Sequence, residues 1–502
     1  MRVPLVSGAY QARSVVASAQ RSVNLYSEAN PGDSQAPVPV THYPTPGLRL
    51  LLSSFTKSAV RCAYRATNGD LYTVVGANVY WVDSAWTEHL IGAITDVHTP
   101  ASMADNGQTI VLVDGTANGY TIDMTTRAFA SISDAAFYGA DRVDYIDTFF
   151  VFNRPGTRQF YISLSQATTF DPLDIAAKTG AADNIQTVIA VHRELWVIGS
   201  LTTEVWVNSG AADFTFQQLP GAFLEHGCVA KYSVAKQDIS VFFLSQDREG
   251  RGIVVQGTGY QVKRISTHAI EESIQAYTNM TDAIGYCFQQ QGHAFYVITF
   301  PSADRTWAYE LATGQWHELA WSDANGNLHR HRANCCTFAY GQNVIGDWQN
   351  GNIYSLDPNV FTDNGRPIQR IRSFPHMIAD GKRVMYQSFV ADMQVGTLAG
   401  TVKSGSGHGS AFNLGFSLGW GSDQTAMDPS DEPLLTLRWS DTRGASWGEP
   451  LTASIGAAGE FDTQVIFRRL GMARDRVFEI SWSAPVSTAL NGAFVDRSPA
   501  RS

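Results

Sequence analysis

Seven times in the first 360 residues the chain writes the same short phrase: an apolar strand, a polar or glycine-bearing turn, then a β-branched or aromatic strand. The segments are Tyr72–Asp83, Ile110–Asp123, Phe149–Ser163, Leu195–Asn208, Val241–Gln256, Phe295–Leu311 and Val344–Leu356. Their first residues lie 38, 39, 46, 46, 54 and 49 positions apart. A strand-built repeat of roughly 40–50 residues is in the range of propeller blades. One small sheet cannot bury both of its faces, whereas sheets packed radially bury each other's. Two flanking strands should complete each blade; Asp304–Glu318 (DRTWAYELATGQWHE) and Tyr260–Ser266 read as such flanks. The spacing therefore predicts an all-β chain with a β-propeller-like ring of six or seven blades over residues 61–360. Residues 1–60 are expected to be an N-terminal arm whose first strands join the propeller.

The repeat stops where Pro358, Gly365, Pro367 and Pro375 cluster. Residues 361–502 read as a separate, sandwich-like β domain. Its expected strands are Gln387–Val395, Leu434–Ser440, Gln464–Leu470 and Arg476–Trp482, with a Gly/Ser-rich surface loop over 396–433. Helix is scarce. Ile270, Ile274 and Tyr277 fall on one stripe and predict a helix over Thr267–Tyr277; Ser14–Arg21 is a weaker helical candidate.

Composition narrows the function. The 43 glycines and 57 aromatic residues suit a turn-rich β protein, and the net charge of −10 offers no clustered cationic face for tight DNA binding. Arg468-Arg469 and His329–Arg332 are the nearest approaches to a basic run. The five cysteines, Cys62, Cys228, Cys287, Cys335 and Cys336, contain no C-x-x-C pair and read as buried thiols, with a vicinal Cys335–Cys336 disulfide as the minor alternative. Met1–Tyr10, with one arginine and no long apolar core, is not expected to be a secretory signal, and no apolar run approaches a membrane span.

No motif of catalysis stands out. Gly250, Gly252 and Gly257 have the wrong spacing for a nucleotide loop and read as turn glycines. Ser440–Trp447, SDTRGASW, is similar to the Asp-box of sialidases, with Asp441 one place early and Thr442 at the usual aspartate position; a hairpin turn packing Trp447 is the expected reading. His317, His329 and His331 imitate metal ligands but are expected to be surface or inter-subunit histidines. Glu271-Glu272 and Asp431-Glu432 are expected to be solvated. Trp81, Trp86, Trp196, Trp206, Trp307, Trp316 and Trp348 are expected to pack blades rather than form a sugar platform. Catalytic, cofactor-binding and metal-binding residues are thus expected to be none.

Several segments, in order, resemble the tail accessory, or packaged-DNA stabilisation, proteins of short-tailed bacteriophages. RSVNLYSEANPG from Arg21, with PTPGL at Pro44–Leu48, is similar to that family's opening. RELWVIGSLTTEVWVNSG from Arg193, EHGCVAKY at Glu225–Tyr232 and the run Gly257–Tyr277 resemble its central strands and turns. LTLRWSDTRGASWGEP from Leu435 and QVIFRRLGMARDRVFEISWSAPV from Gln464 resemble its close. The resemblance implies a non-enzymatic virion tail protein, the hub or nozzle, assembled in the host cytoplasm. It implies a homohexameric ring below the portal and its adaptor protein that continues the DNA channel and helps retain packaged DNA. Tail spike, fibre or needle proteins would attach to it, and DNA would pass without sequence-specific binding. The alternative from a different class is a sialidase-like or glycan-binding β-propeller.

Overall fold

The computed structural model describes all residues except 1, 5–7, 15–16, 31–38, 380, 396–432, 457–463 and 500–502. The expected loop over 396–433 and the pair Asp431-Glu432 lie outside the described residues, apart from Pro433. Two compact units are present: residues 50–320 with 329–356, and residues 1–49 with 321–328 and 357–502.

The first unit is a seven-bladed propeller, and each of the seven hairpins read from the sequence is the middle strand pair of one blade. The innermost strands are Val60–Arg65, Ser102–Asp105, Val143–Ile146, Ile185–Val191, Ala235–Gln237, Ile284–Gln290 and Ala333–Ala339. Within each blade the strands are antiparallel and successive, for example Val60–Arg65, Leu71–Val75, Asn78–Val82 and Glu88–Ala93 in blade 1. Alternation turns one set of side chains to each neighbouring blade. Tyr72 and Val74 of blade 1 meet Ile110 and Leu112 of blade 2. Trp196 of blade 4 packs among Val241, Phe243 and Val255 of blade 5. At about 25 cal/mol per Å² of apolar surface removed from water, these seams between blades are the main source of stability.

The seventh blade closes the ring. Its order is Ala333–Ala339, Gln342–Asp347, Asn352–Asp357 and then the early strand Gly47–Ser53. Ser53 donates to Asn352 Oδ1 at 2.8 Å, and the Ser54 amide donates to Gly351 O at 3.3 Å. Gly351 has φ +74°, and a Cβ there would lie 2.2 Å from Thr56 O, so only glycine fits this seam. A strand from one end of the ring thus completes the blade at the other, which removes an open edge.

The long spacing of 54 residues before the sixth hairpin has a physical cause. Helix α1, His268–Gln275, is inserted between blades 5 and 6. Thr267 caps it by accepting from the Ile270 amide, and Ile270 and Ile274 are buried. Of the other helical candidate, Ser14–Arg21, residues 15–16 lie outside the described residues, and its end, Ala19–Gln20, is a short strand paired with Tyr10–Gln11.

The second unit is a β-sandwich. One sheet runs Leu25–Ala29, Val40–Pro44, Thr488–Pro499, Val384–Val395 and Gln464–Arg468. The other contains Ser22–Val23, Arg370–Ser373, Asp475–Trp482, Leu434–Ser440 and Leu451–Ser454. Phe389, Met393, Phe467 and Val495 from the first meet Leu437, Phe478, Ile480 and Trp482 from the second. The expectation for the N-terminal arm holds for the strand Gly47–Ser53, which joins the seventh blade, and is corrected for what precedes it. Residues 1–49 belong to the sandwich unit, because His42 pairs with Leu490, Ser22 with Arg372, and Asn24 Nδ2 donates to Gln369 O. Of the first 60 residues, only those from Leu50 onward belong to the propeller unit.

Candidate functional site: the axial cavity

The first strands of all seven blades surround one cavity of about 390 Å³. All seven enter at the same end of the ring, because every blade is wound in the same sense. The polar residues that begin these strands, or lie just before them, therefore collect at that end. They include Arg61, Asp141, Arg142, Lys231 and Tyr232. A band of Cys62, Met103, Val143, Val234, Ile284, Cys335 and Cys336 follows, and Asp144 and Lys236 lie beyond it.

A turn of blade 5 reaches across the axis. The 3₁₀ turn Lys231–Ser233 is fixed by Ser233 Oγ, which donates to Ala230 O at 2.7 Å and accepts from the Leu244 amide at 3.0 Å. Tyr296 donates to Ser233 O at 2.8 Å. Gly285 permits the close approach, since a Cβ there would sit 2.2 Å from that same carbonyl. From this base Lys231 Nζ reaches Asp141 Oδ1 of blade 3 at 2.5 Å. Asn153 donates to the other Asp141 oxygen at 2.9 Å. Arg142 of blade 3 donates back to Val234 O at 2.9 Å. Burial opposes the charge of Lys231, but Asp141 outweighs it and raises the lysine's pKa. Beyond the apolar band, Asp144 accepts from the Ala190 amide at 2.8 Å and lies 3.8 Å from Lys236 Nζ. Blades 3, 4 and 5 are thus pinned to each other along the axis.

The cysteines are free thiols. Burial pushes all five up, Cys335 to about 12 and Cys228 to about 11, so they are poor nucleophiles at neutral pH.

The other residues singled out in the sequence fall apart spatially. His317 and His331 are buried, not at the surface as expected. Loss of solvation drives their pKa down to about 3 and about 4. Their neighbours explain it: the Phe295 ring meets His317 edge-on, and the Ala333 amide donates to His331 Nδ1. His329 bonds Asp304 at 2.7 Å, a carboxylate too distant in sequence to be foreseen. Among the described residues no cluster of His, Cys, Asp or Glu is arranged to hold a metal ion. Glu271 is corrected as well: it is buried and gripped by Arg264 Nε and Nη2 and by Ser266 Oγ, the last at 2.6 Å, whereas Glu272 is exposed. Gly250 sits in a turn at φ +79°, while Gly252 and Gly257 lie in a strand. Of the seven tryptophans, Trp196, Trp206 and Trp316 are buried and the rest half-buried: Arg127 lies over Trp81, Arg330 over Trp348, Tyr340 meets Trp86 edge-on, and Trp307 donates to the Tyr277 hydroxyl. None offers an open platform.

The Asp-box-like segment is a hairpin turn between Leu434–Ser440 and Leu451–Ser454. Ser440 Oγ accepts from the Gly444 amide, and Thr442 Oγ1 from the Ser446 amide, both at 2.8 Å. Trp447 packs under the Arg438 guanidinium. The displaced Asp441 holds the buried Arg476 through two bonds of 2.6 and 2.7 Å, and that guanidinium lies over the Tyr386 ring. Asp441→Ala is expected to lower the sandwich's stability by about 1–3 kcal/mol, because a buried cation loses both charged acceptors. Thr442→Ala should cost less. Urea unfolding followed by circular dichroism, compared with the wild type, measures both.

No helix among the described residues is long and apolar enough to cross a membrane. Comparison with curated proteins found no match. Among solved structures, the extracellular domain of the putative one component system BT4673 from B. thetaiotaomicron aligns at 9% identity and TM-score 0.43. The match covers 62% of this chain and 40% of that one. The WD40 beta propeller domain of Doa1 aligns at 10% identity and TM-score 0.39, over 62% of this chain and 98% of its own. Residues 1–361 match the family described as bacteriophage P22 Gp10, beta-propeller, and residues 401–498 match its beta-sandwich. The chain therefore belongs to the bacteriophage P22 Gp10 family, phage tail proteins that stabilise packaged DNA.

Proposed function

We propose that this tail protein is a structural hub or nozzle without enzymatic turnover, six copies of which form a ring below the portal and its adaptor. The observation that carries this reading is the family match over both domains, propeller then sandwich. The ring would continue the DNA channel, help retain packaged DNA and anchor spike, fibre or needle proteins. It would be assembled in the host cytoplasm.

Dimensions decide where DNA would run. A sphere of the axial cavity's volume is about 9 Å across, less than the ~12 Å width of the duplex major groove alone. DNA would pass between subunits, along a channel bounded by the ring. The acidic chain suits that task, since strong phosphate contacts would hold the DNA in place. A close-packed β ring also resists compression, as a pressurised conduit must.

Mass photometry of the full chain with its adaptor tests the assembly. A closed hexamer of 54.8 kDa chains is expected near roughly 330 kDa. Monomers alone in the presence of adaptor would sink the ring. Hydrolysis of any member of a fluorogenic glycoside panel would sink the non-enzymatic reading.

A further inference from the structure

The axial cavity contains more positive charge than its own carboxylates balance. Lys231 and Lys236 are matched by Asp141 and Asp144, at 2.5 and 3.8 Å. Two guanidinium groups line the same cavity without an ion-pair partner. Arg61, 2% exposed, donates to the carbonyls of Thr99, Gly76 and Thr95, while its buried Nη2 has no acceptor. Asp114 and Asp96 act on Arg61 only through their field. Arg142 has one bond, to Val234 O, and Asp144 likewise acts on it only through its field. Burial lowers the pKa of both arginines, as desolvated and incompletely compensated cations require.

A hydroxyl of the same lining is also unsatisfied. Thr187, 1% exposed, has no partner for Oγ1; the Tyr232 hydroxyl of the same lining interacts with Thr99 and Lys231. Buried arginines are rarely left without an anion, and buried hydroxyls rarely without a bond. The cavity volume falls within the roughly 300–1,000 Å³ of small-molecule sites. Its surface therefore lacks one thing: a small, multiply accepting anion.

We propose that the axial cavity binds one small oxyanion of the phosphate class, free phosphate or the phosphoryl group of a mononucleotide, on Arg142 and Arg61 with Thr187 as a hydroxyl donor. Guanidinium forks match tetrahedral oxyanions, and the two arginines would donate in charge-assisted bonds. The proposal is independent of the hexamer and of the DNA path.

The test is thermal unfolding of the full chain titrated with sodium phosphate and, separately, with a deoxynucleoside monophosphate. Ionic strength is held constant with chloride. The expected result is a saturable rise in Tm whose apparent Kd weakens by roughly tenfold or more in Arg142→Gln, since bonds to charged groups are involved. Thr187→Val keeps the residue's shape and removes an unsatisfied hydroxyl, so it should keep or raise the ligand-free Tm while weakening the same affinity. Saturation by phosphate alone assigns the free anion; saturation only by the mononucleotide assigns the larger ligand. A rise that grows linearly, and equally in Arg142→Gln, is general salt exclusion and overturns the site. No rise with either compound also overturns it.

Discussion

Asp183→Ala is expected to destabilise the propeller by about 3–5 kcal/mol, because it leaves a lysine buried without its counter-ion. Lys178 is fully enclosed, and its ammonium touches Asp183 Oδ1 and Thr202 Oγ1. The carboxylate does more than balance that charge. Its second oxygen accepts from the Leu201 and Thr202 amides at 2.8 and 3.1 Å, and Thr202 Oγ1 donates to the first at 3.0 Å. Burial works against the ionised carboxylate, yet Lys178 and the two amides prevail and hold its pKa below the usual range. The segment entering blade 4 is thereby tied to that blade's own hairpin turn. Loss of Asp183 strands one ammonium and two amides, each of which lost water on folding. The double change Lys178→Met with Asp183→Leu should recover most of the lysine's share, since an apolar pair of similar volume is often tolerated. The two amides would still lack acceptors, so recovery should be incomplete. Chemical unfolding of the wild type, the single and the double variant separates these contributions. Equal loss in the single and double variants would show that the amide bonds, not the ion pair, hold the segment.

This network was invisible in the sequence, and the reason is instructive. Lys178, Asp183 and Thr202 are ordinary polar residues in glycine- and alanine-rich connections; nothing local marks them as buried. What was legible has a period. The seven hairpins follow from alternation and turn chemistry, which are local, and their spacing fixes a ring because radial packing buries both sheet faces. The outer strands were harder. Phe129–Ser131 and Ile175–Ala177 are three residues long and carry little pattern. The sandwich strands at 384–395, 434–440, 464–468 and 475–482 alternate clearly and are legible. Thr488–Pro499 is not, since its Asn491-Gly492 pair imitates a turn and its pairing with Val384–Val395 is interrupted by register shifts. The placement of residues 1–49 could not be read either, because it rests on pairings such as His42 with Leu490, more than 400 residues apart. The axial lining has the same character: seven strands, each unremarkable, converge only once the ring closes.

The histidines supply the second large effect, a loss of stability between pH 6.5 and 4. His317 and His331 are buried and neutral in the fold, with pKa values near 3 and 4 against an ordinary 6.5. A group whose folded pKa is depressed binds fewer protons folded than unfolded. Its contribution is intact above pH 6.5 and falls as the unfolded chain takes up protons that the folded chain refuses. Below pH 6.5 each such histidine removes about 1.4 kcal/mol per pH unit until its folded pKa is reached. At pH 5 the two together should remove about 4 kcal/mol, enough to shift the propeller's denaturant midpoint visibly. The window points to buried histidines, with His226, also lowered by burial, adding to it, because carboxylates held low by their partners, such as Asp183, lose their contribution only below their ordinary pKa of 3.8. His331→Gln keeps an acceptor for the Ala333 amide, and His317→Gln removes the proton-binding ring beside Phe295. Each should flatten the profile by one proton's slope, whatever its cost at pH 7.5. Unfolding measured at pH 7.5, 6 and 5 reads that slope directly. A wild-type profile flat from pH 7 to 5 would mean that both imidazoles reach water, and that the blade seam around residues 317 and 331 is open rather than dry.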